Sequence, residues 1–288
     1  MNILTFDIEE WYLEKELFGD RKAMYPVYEH KLDDVLNLLD EQNTKATFFC
    51  VGMLAKLFPD VVKKVASRGH EIGCHSNKHT WLTTMDETVL RADTSDAIHA
   101  LEDIVGQKVV SYRAPAFSIS DKNKWAFDVL AECGIENDAS IFPAVRDFGG
   151  YPSFPYDTPC FIKHGGVTMH EFPVPMTTLL GRRVPFSGGG YIRVLPYRYV
   201  RRTMQHRDYT ICYFHLKDLM DERVGLLSKA DYEDYFHEEG TLKNRLSRYV
   251  KDNISGGDAF KTLCRLMADF TFTGIPCVQD EMLPTVEL

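Results

Sequence analysis

Strand signals and helix signals alternate through the first half of the chain, and that alternation limits the architecture more than any other feature. Ile3 to Ile8 is a short apolar run. Leu32, Val35, Leu36 and Leu39 then recur at helical spacing, and that helix should stop near Asn43. Ala46 to Val51 is β-rich, and Asp60 to Arg68 reads as a helix closed by Gly69, a residue suited to a left-handed cap. Glu71 to His75 is a third strand, Asp86 to Val105 a helix, Val109 to Tyr112 a fourth strand, and Lys122 to Cys133 a helix closed by Gly134. Such a rhythm requires parallel strands joined by crossover helices, which means an α/β barrel or a doubly wound sheet. From about Asp147 to Gly190, Gly, Pro and aromatic residues become frequent, which predicts long loops around one strand, Val167 to Val174. A last clear strand, Thr210 to Leu216, precedes a charged region and a final helical pair. No repeat or low-complexity linker marks a domain boundary, so the chain reads as a single domain over 1–288.

The residues able to do chemistry fall at the carboxyl ends of these strands, where barrels and open sheets place their active sites. Asp7 and Glu9 end the first, His75 and His79 the third, Arg113 the fourth and His215 the last. His75 and His79 are four apart, so a helical turn after His75 would project both imidazoles from one face. Two imidazoles and a carboxylate with an open position suit a catalytic divalent metal. Strand alternation sends Asp7 and Glu9 to one face and Glu10 to the other. Two carboxylates in one cleft can divide the work, one binding metal and one accepting a proton from water. A two-carboxylate glycosidase would have no use for the histidines.

Charge and cysteine content exclude other classes. A net charge of −9 argues against nucleic acid as a partner. The one basic cluster, Arg201, Arg202, His206 and Arg207 beside Tyr197, Tyr199 and Tyr209, reads as a solvated helix face. Seven cysteines, an odd number with no CxxC pair, read as buried thiols in a reducing compartment. No apolar run approaches membrane-spanning length and no signal peptide fits the first residues, so the expectation is a cytoplasmic protein without a membrane span. Gly188, Gly189 and Gly190 lack the context of a phosphate-binding P-loop and read as a flexible, close-packed loop near the substrate. Trp11, Trp81 and Phe117 closely follow Glu9, His79 and Arg113, as either platforms on which a ligand ring could stack or core.

In order along the chain, five segments resemble the motifs of the NodB-homology polysaccharide deacetylases, carbohydrate esterase family 4. They are Thr5-Phe-Asp-Ile-Glu-Glu10, His75-Ser-Asn-Lys-His79, Tyr112-Arg-Ala-Pro115, Asn137-Asp-Ala-Ser-Ile-Phe-Pro143 and Tyr213-Phe-His-Leu216. Glu171-Phe-Pro-Val174 and Ser187-Gly-Gly-Gly-Tyr191 further resemble a subfamily associated with exopolysaccharide and O-antigen loci. The resemblance implies an α/β fold, a distorted (β/α) barrel of about seven parallel strands. The motifs occupy residues 2–218, and 219–288 would form a C-terminal helical extension packed on the barrel.

The resemblance also implies hydrolytic removal of an N-acetyl group from an amino sugar of a surface polysaccharide or of its lipid- or nucleotide-linked precursor. A deformylase, or a catalytically silent glycan-binding barrel, are the alternatives. A divalent metal, zinc first and Ni2+, Co2+ or Mn2+ as substitutes, would be held by Glu9, His75 and His79, with Glu10 in reserve for Glu9. Asp7 would be the catalytic base, Arg113 its partner, His215 the general acid, and Asp138 a group tuning His215. Two departures stand out: Ile8 separates Asp7 from Glu9 where the family has adjacent aspartates, and Leu216-Lys-Asp218 follows the acid histidine where Pro-Trp is frequent.

Overall fold

The structure, a computed structural model, describes residues 1–146, 149–179, 181–220, 225–236, 239–253, 258–275 and 283–288. Cys277 lies outside them; of the other six cysteines, none forms a disulfide.

β1 (Asn2–Ile8) is the centre from which the sheet is best understood. Ile3, Leu4, Phe6 and Ile8 are all fully buried, as in a strand with parallel neighbours and both faces covered. Adjacent residues point to opposite faces. Leu4, Phe6 and Ile8 therefore pack outward against Leu32, Val35, Leu36 and Leu39, the apolar stripe of α2 (Tyr25–Glu41). Ile3 packs inward with Phe49, Ala139, Tyr209 and Ile211. Thr5 and Asp7 share that inner face.

The other strands are β2 (Thr47–Cys50), β3 (Glu71–Cys74), β4 (Ser111–Tyr112), β5 (Asn137–Asp138), β6 (Cys160–His164), β7 (Val167–Glu171), β8 (Met176–Leu179), β9 (Arg182–Pro185), β10 (Thr210–His215) and β11 (Thr285–Glu287). They pair in the order β10-β1-β2-β3-β4-β5-β7-β6-β11, with β8 and β9 as a separate hairpin. Every pairing from β10 through β7 is parallel, which gives the seven parallel strands expected of the barrel. β6 runs antiparallel to β7, and β11 pairs with β6. Backbone pairing does not close β10 onto β11 among the described residues.

Helices cover the outer face: α1 (Glu10–Leu17), α2, α3 (Gly52–Leu57), α4 (Pro59–Ser67), α5 (Glu87–Val105) and α6 (Ala126–Glu132). Their ends follow local chemistry. The Asp86 carboxylate accepts from Val89 N–H at the start of α5, and Gly106 closes it in the left-handed region. The chain continues through α7 (Gly189–Val194), α8 (Tyr197–Gln205), α9 (Lys229–Phe236), α10 (Leu242–Asn253) and α11 (Ala259–Asp269).

Three regions differ from the sequence expectation. The segment read as loops around one strand holds four strands, because β6 pairs locally with β7 and β8 with β9 across tight turns. The C-terminal region is not purely helical: Thr273 bridges to Ile3, and β11 extends the sheet. Gly188 and Gly189 are close-packed, as expected, but they open α7 instead of lying in a loop. A Cβ at Gly188 would overlap the Tyr213 ring, and one at Gly189 the Asp218 carboxylate, so both positions require the missing side chain.

Candidate active site

The parallel register aligns the ends of β1, β2, β3, β4 and β10, so residues distant in sequence meet at one rim. Asp7 is level with Phe49 of β2 and His215 of β10. His75 N–H donates to Cys50 O and Arg113 N–H to Cys74 O, which carries the ladder one step past β3 and β4. Glu9 then caps α1.

The backbone after His75 is not helical, in contrast to the simplest reading of the four-residue spacing. Ser76 and His79 both lie in the left-handed region, with φ of 64° and 57°. The turn is held from outside: Ser76 O and Asn77 O accept from Gly52 and Met53 N–H at the start of α3, and Asp93 accepts from Asn77 N–H. It returns His79 to His75, with ring centroids 5.2 Å apart.

Glu9, His75 and His79 each offer a ligand atom, and these atoms all lie within 4.8 Å of one another. Glu9 Oε2 is 2.7 Å from His79 Nε2 and 3.5 Å from His75 Nε2. The same Oε2 is buried and takes no hydrogen bond of acceptable geometry. Carboxylate and imidazoles are thus gathered without being aimed at one another, as donors around a common centre would be. His75 donates its Nδ1–H to Arg113 O at 2.7 Å, which fixes the tautomer and leaves Nε2 with its lone pair facing the cluster. Two imidazole nitrogens and one carboxylate so gathered fit a divalent cation. Burial by itself would raise the Glu9 pKa. His79 and His215, with His75, outweigh it and hold the carboxyl well below its ordinary range.

Glu10 is turned away. Its Oε1 accepts from Lys217 N–H and its Oε2 from Glu9 N–H, and burial together with the Glu9 charge pushes its pKa up. Glu9 is the carboxylate that faces the imidazoles.

On one side of the cluster, Asp7 Oδ1 accepts from Arg113 Nη1 at 2.8 Å. Both residues are almost fully buried, at 2% and 1% exposure. The guanidinium is positioned by Thr5 Oγ1 and Ala139 O and lies 4.4 Å over the Phe49 ring. An arginine so held fixes the orientation of the Asp7 carboxylate through Oδ1 and leaves Oδ2 free of that contact.

On the other side, His215 Nε2 lies 3.7 Å from Glu9 Oε1 and 3.8 Å from Asp7 Oδ2. Burial works to lower its pKa. The Glu9 carboxylate, then Asp218 and Asp7, outweigh burial and hold the imidazole protonated well above its ordinary value.

The group against His215 Nδ1 is Asp218, whose Oδ2 lies 3.1 Å away and also accepts from the His215 backbone N–H at 2.9 Å. Asp138 is engaged elsewhere. Its carboxylate accepts from Ser140 Oγ and Ser140 N–H and shares a hydrogen bond with Glu171, and burial raises its pKa. Sequence reasoning missed Asp218, though it lies three residues beyond His215, a spacing that a single 3-10 turn over Lys217–Leu219 brings together. Trp11, Trp81 and Phe117 are all buried in side-chain clusters and stack in the core.

Comparison with known proteins follows the same division of the chain. Residues 3–137 match the family model described as polysaccharide deacetylase, and residues 139–278 match a domain of unknown function (DUF3473). The matches meet within β5, yet both feed one site: His215 and Asp218 come from the second, the remaining site residues from the first. A peptidoglycan-N-acetylglucosamine deacetylase from Bacillus cereus is 34% identical over 93 residues, 32% of this chain and 34% of that protein. The match thus spans about a third of the length of that relative.

Among solved structures, a protein described as a polysaccharide deacetylase from Mycobacterium smegmatis superposes with a TM-score of 0.56 at 21% identity, over 98% of this chain and 94% of that one. A carbohydrate esterase family 4 pseudoenzyme from Bacillus anthracis superposes with a TM-score of 0.51 at 12% identity, over 100% of this chain and 69% of that one. At these identities the superpositions establish a shared fold.

Proposed function

We propose, from the match of residues 3–137 to the polysaccharide deacetylase family model and from the strand-end geometry, that this chain is a metal-dependent hydrolase removing an N-acetyl group from an amino sugar. The single observation that carries the reading is the order of groups across the strand ends. A paired carboxylate, a three-donor cluster and a carboxylate-backed histidine stand side by side.

Glu9, His75 and His79 would hold the cation, which when bound polarises an acyl carbonyl and acidifies water. Asp7 receives the proton of the attacking water on its free Oδ2, while Arg113 holds the carboxylate in place through Oδ1. His215 delivers a proton from Nε2 to the departing amine, because an amide nitrogen leaves poorly as an anion. Asp218 holds the opposite edge of that ring, so Nε2 faces the reacting centre. The substrate would be a surface polysaccharide of the exopolysaccharide or O-antigen kind, or its lipid- or nucleotide-linked precursor. The free cysteines fit a reducing, cytoplasmic setting and therefore a precursor. No helix among the described residues is long and apolar enough to cross a membrane.

The test is acetate release from N-acetylglucosamine oligosaccharides and from a nucleotide-linked N-acetyl sugar by zinc-loaded protein, with and without chelator. Chelator-sensitive acetate is expected. Formate from an N-formyl sugar instead would indicate a deformylase. Bound metal with neither product would leave the silent, glycan-binding barrel.

Two substitutions address the acid side. His215→Ala should lower kcat by about a hundredfold or more, the usual contribution of a general acid. Asp218→Asn should lower kcat by about tenfold to a hundredfold with KM little changed. Its effect on an activated ester such as p-nitrophenyl acetate should be small, since that leaving group needs no proton. Equal losses on amide and ester would show that Asp218 serves the fold and not proton delivery.

A further inference from the structure

The basic cluster before β10 is not a plain solvated helix face. The β8–β9 hairpin lies against α8 and the turn that follows it, and between them is a cleft of about 600 Å³. Contacts fasten the two walls together. Thr177 Oγ1 and Tyr199 Oη are hydrogen-bonded at 3.2 Å, Tyr199 Oη donates to Thr178 O, and Arg207 Nη1 donates to Met176 O at 2.8 Å.

Into this cleft face Arg183 from β9, Arg202 from α8, His206 and Arg207, with Asp157 as the one acid. Asp157 is shared: it lies 3.1 Å from Arg207 and 3.5 Å from Arg183. Arg207 is spent on holding the walls, since it also donates to Asp157 O. The Arg202 guanidinium has no carboxylate partner among the described residues. His206 uses Nδ1 on Arg202 O and leaves Nε2 open. In a chain of net charge −9, a walled cleft with three arginines against one aspartate is a local reversal of sign.

We propose that this cleft is a binding site for a pyrophosphate group. Guanidinium forks match phosphate oxygens with paired hydrogen bonds. Arg183 and Arg202 reach from opposite walls, so the ligand must spread at least two negative charges across the gap, which one sugar carboxylate does not. The site is separate from the catalytic rim: His206 and Arg207 precede β10 and His215 ends it, and a strand of that length spans about 20 Å. It therefore stands or falls independently of the deacetylase reading.

The test is calorimetric titration of the metal-loaded protein with inorganic pyrophosphate, for wild type, Arg183→Ala and Arg202→Ala. Saturable binding by wild type is expected, weakened about tenfold or more in each variant, as for loss of a charge-assisted contact. Both variants should keep wild-type hydrolysis of a neutral N-acetylated oligosaccharide. Uridine diphosphate and farnesyl diphosphate, which present the group on a nucleotide and on an isoprenoid, should compete, and the tighter of the two identifies the carrier. The proposal is overturned if wild type shows no saturable binding, if both variants bind as wild type does (the metal alone would then be the ligand), if neither diphosphate competes, or if a uronate oligosaccharide binds where pyrophosphate does not.

Discussion

Asp7→Asn will abolish measurable turnover while the protein keeps its metal. The substitution is nearly isosteric and retains an oxygen able to accept from Arg113 Nη1, so the contact at 2.8 Å has a successor. What is lost is the ability to take a proton, because an amide oxygen is far too weak a base. Positioned general bases contribute about a hundredfold to ten-thousandfold. The lower end of that range would already be conspicuous in an acetate-release assay. Asp7 is not one of the three donors, so metal content measured by elemental analysis should stay at the wild-type ratio. The variant leaves a buried guanidinium without a countercharge, and some loss of thermal stability should accompany it. The decisive result is therefore the rate of folded, metal-loaded protein. A rate within a few-fold of wild type would remove Asp7 from the role of base.

His79→Ala will lose the metal. Its Nε2 is one of three donors, and a divalent cation left with Glu9 and His75 has too few protein ligands for a lasting catalytic site. Loss of an outer partner of a metal ligand costs about tenfold to a hundredfold in affinity, so removing a ligand itself should exceed that. Equilibrium dialysis against zinc reads the effect directly, without reliance on any substrate. Backbone strain does not confuse the comparison, since histidine and alanine alike bear a Cβ at the positive φ of residue 79. Glu10→Gln supplies the control: its carboxyl accepts from the Lys217 and Glu9 amides, so affinity should remain near wild type. If Glu10→Gln lost metal and His79→Ala kept it, the cluster would have been assigned to the wrong side chains.

Much of this site was legible in the sequence because parallel strands end together. Once Ile3–Ile8, Glu71–His75, Val109–Tyr112 and Thr210–Leu216 are read as neighbouring strands, Asp7, His75, Arg113 and His215 are brought to one rim by register alone. Local chemistry served equally well at the ends of α5, where Asp86 and Gly106 do what their side chains dictate. The parts that escaped depend on contacts between distant segments. His79 returns to His75 through a left-handed turn stabilised by α3 and Asp93, which spacing cannot show. Strand alternation already set Glu9 apart from Glu10, but what holds Glu10 away, the amide of Lys217 207 residues distant, could not be read from it. Asp138 and Asp218 exchanged places in the account of His215, because Glu171 and Ser140 occupy the first and a tight turn presents the second. The arginines before β10 read as a solvated surface because their opposite wall, β8–β9, is a short hairpin whose sequence gives little apolar alternation to announce it.

The position of β10 beside β1 bears on how the chain comes into being on the ribosome. β1 acquires one neighbour early, β2, and must wait about 200 residues for the other, β10. During that interval one edge of a strand with apolar residues on both faces is left unsatisfied, a template for mispairing with other nascent chains. Under the proposed mechanism His215 and Asp7 meet only once translation has passed Asp218, so a chain truncated before β10 should release no acetate.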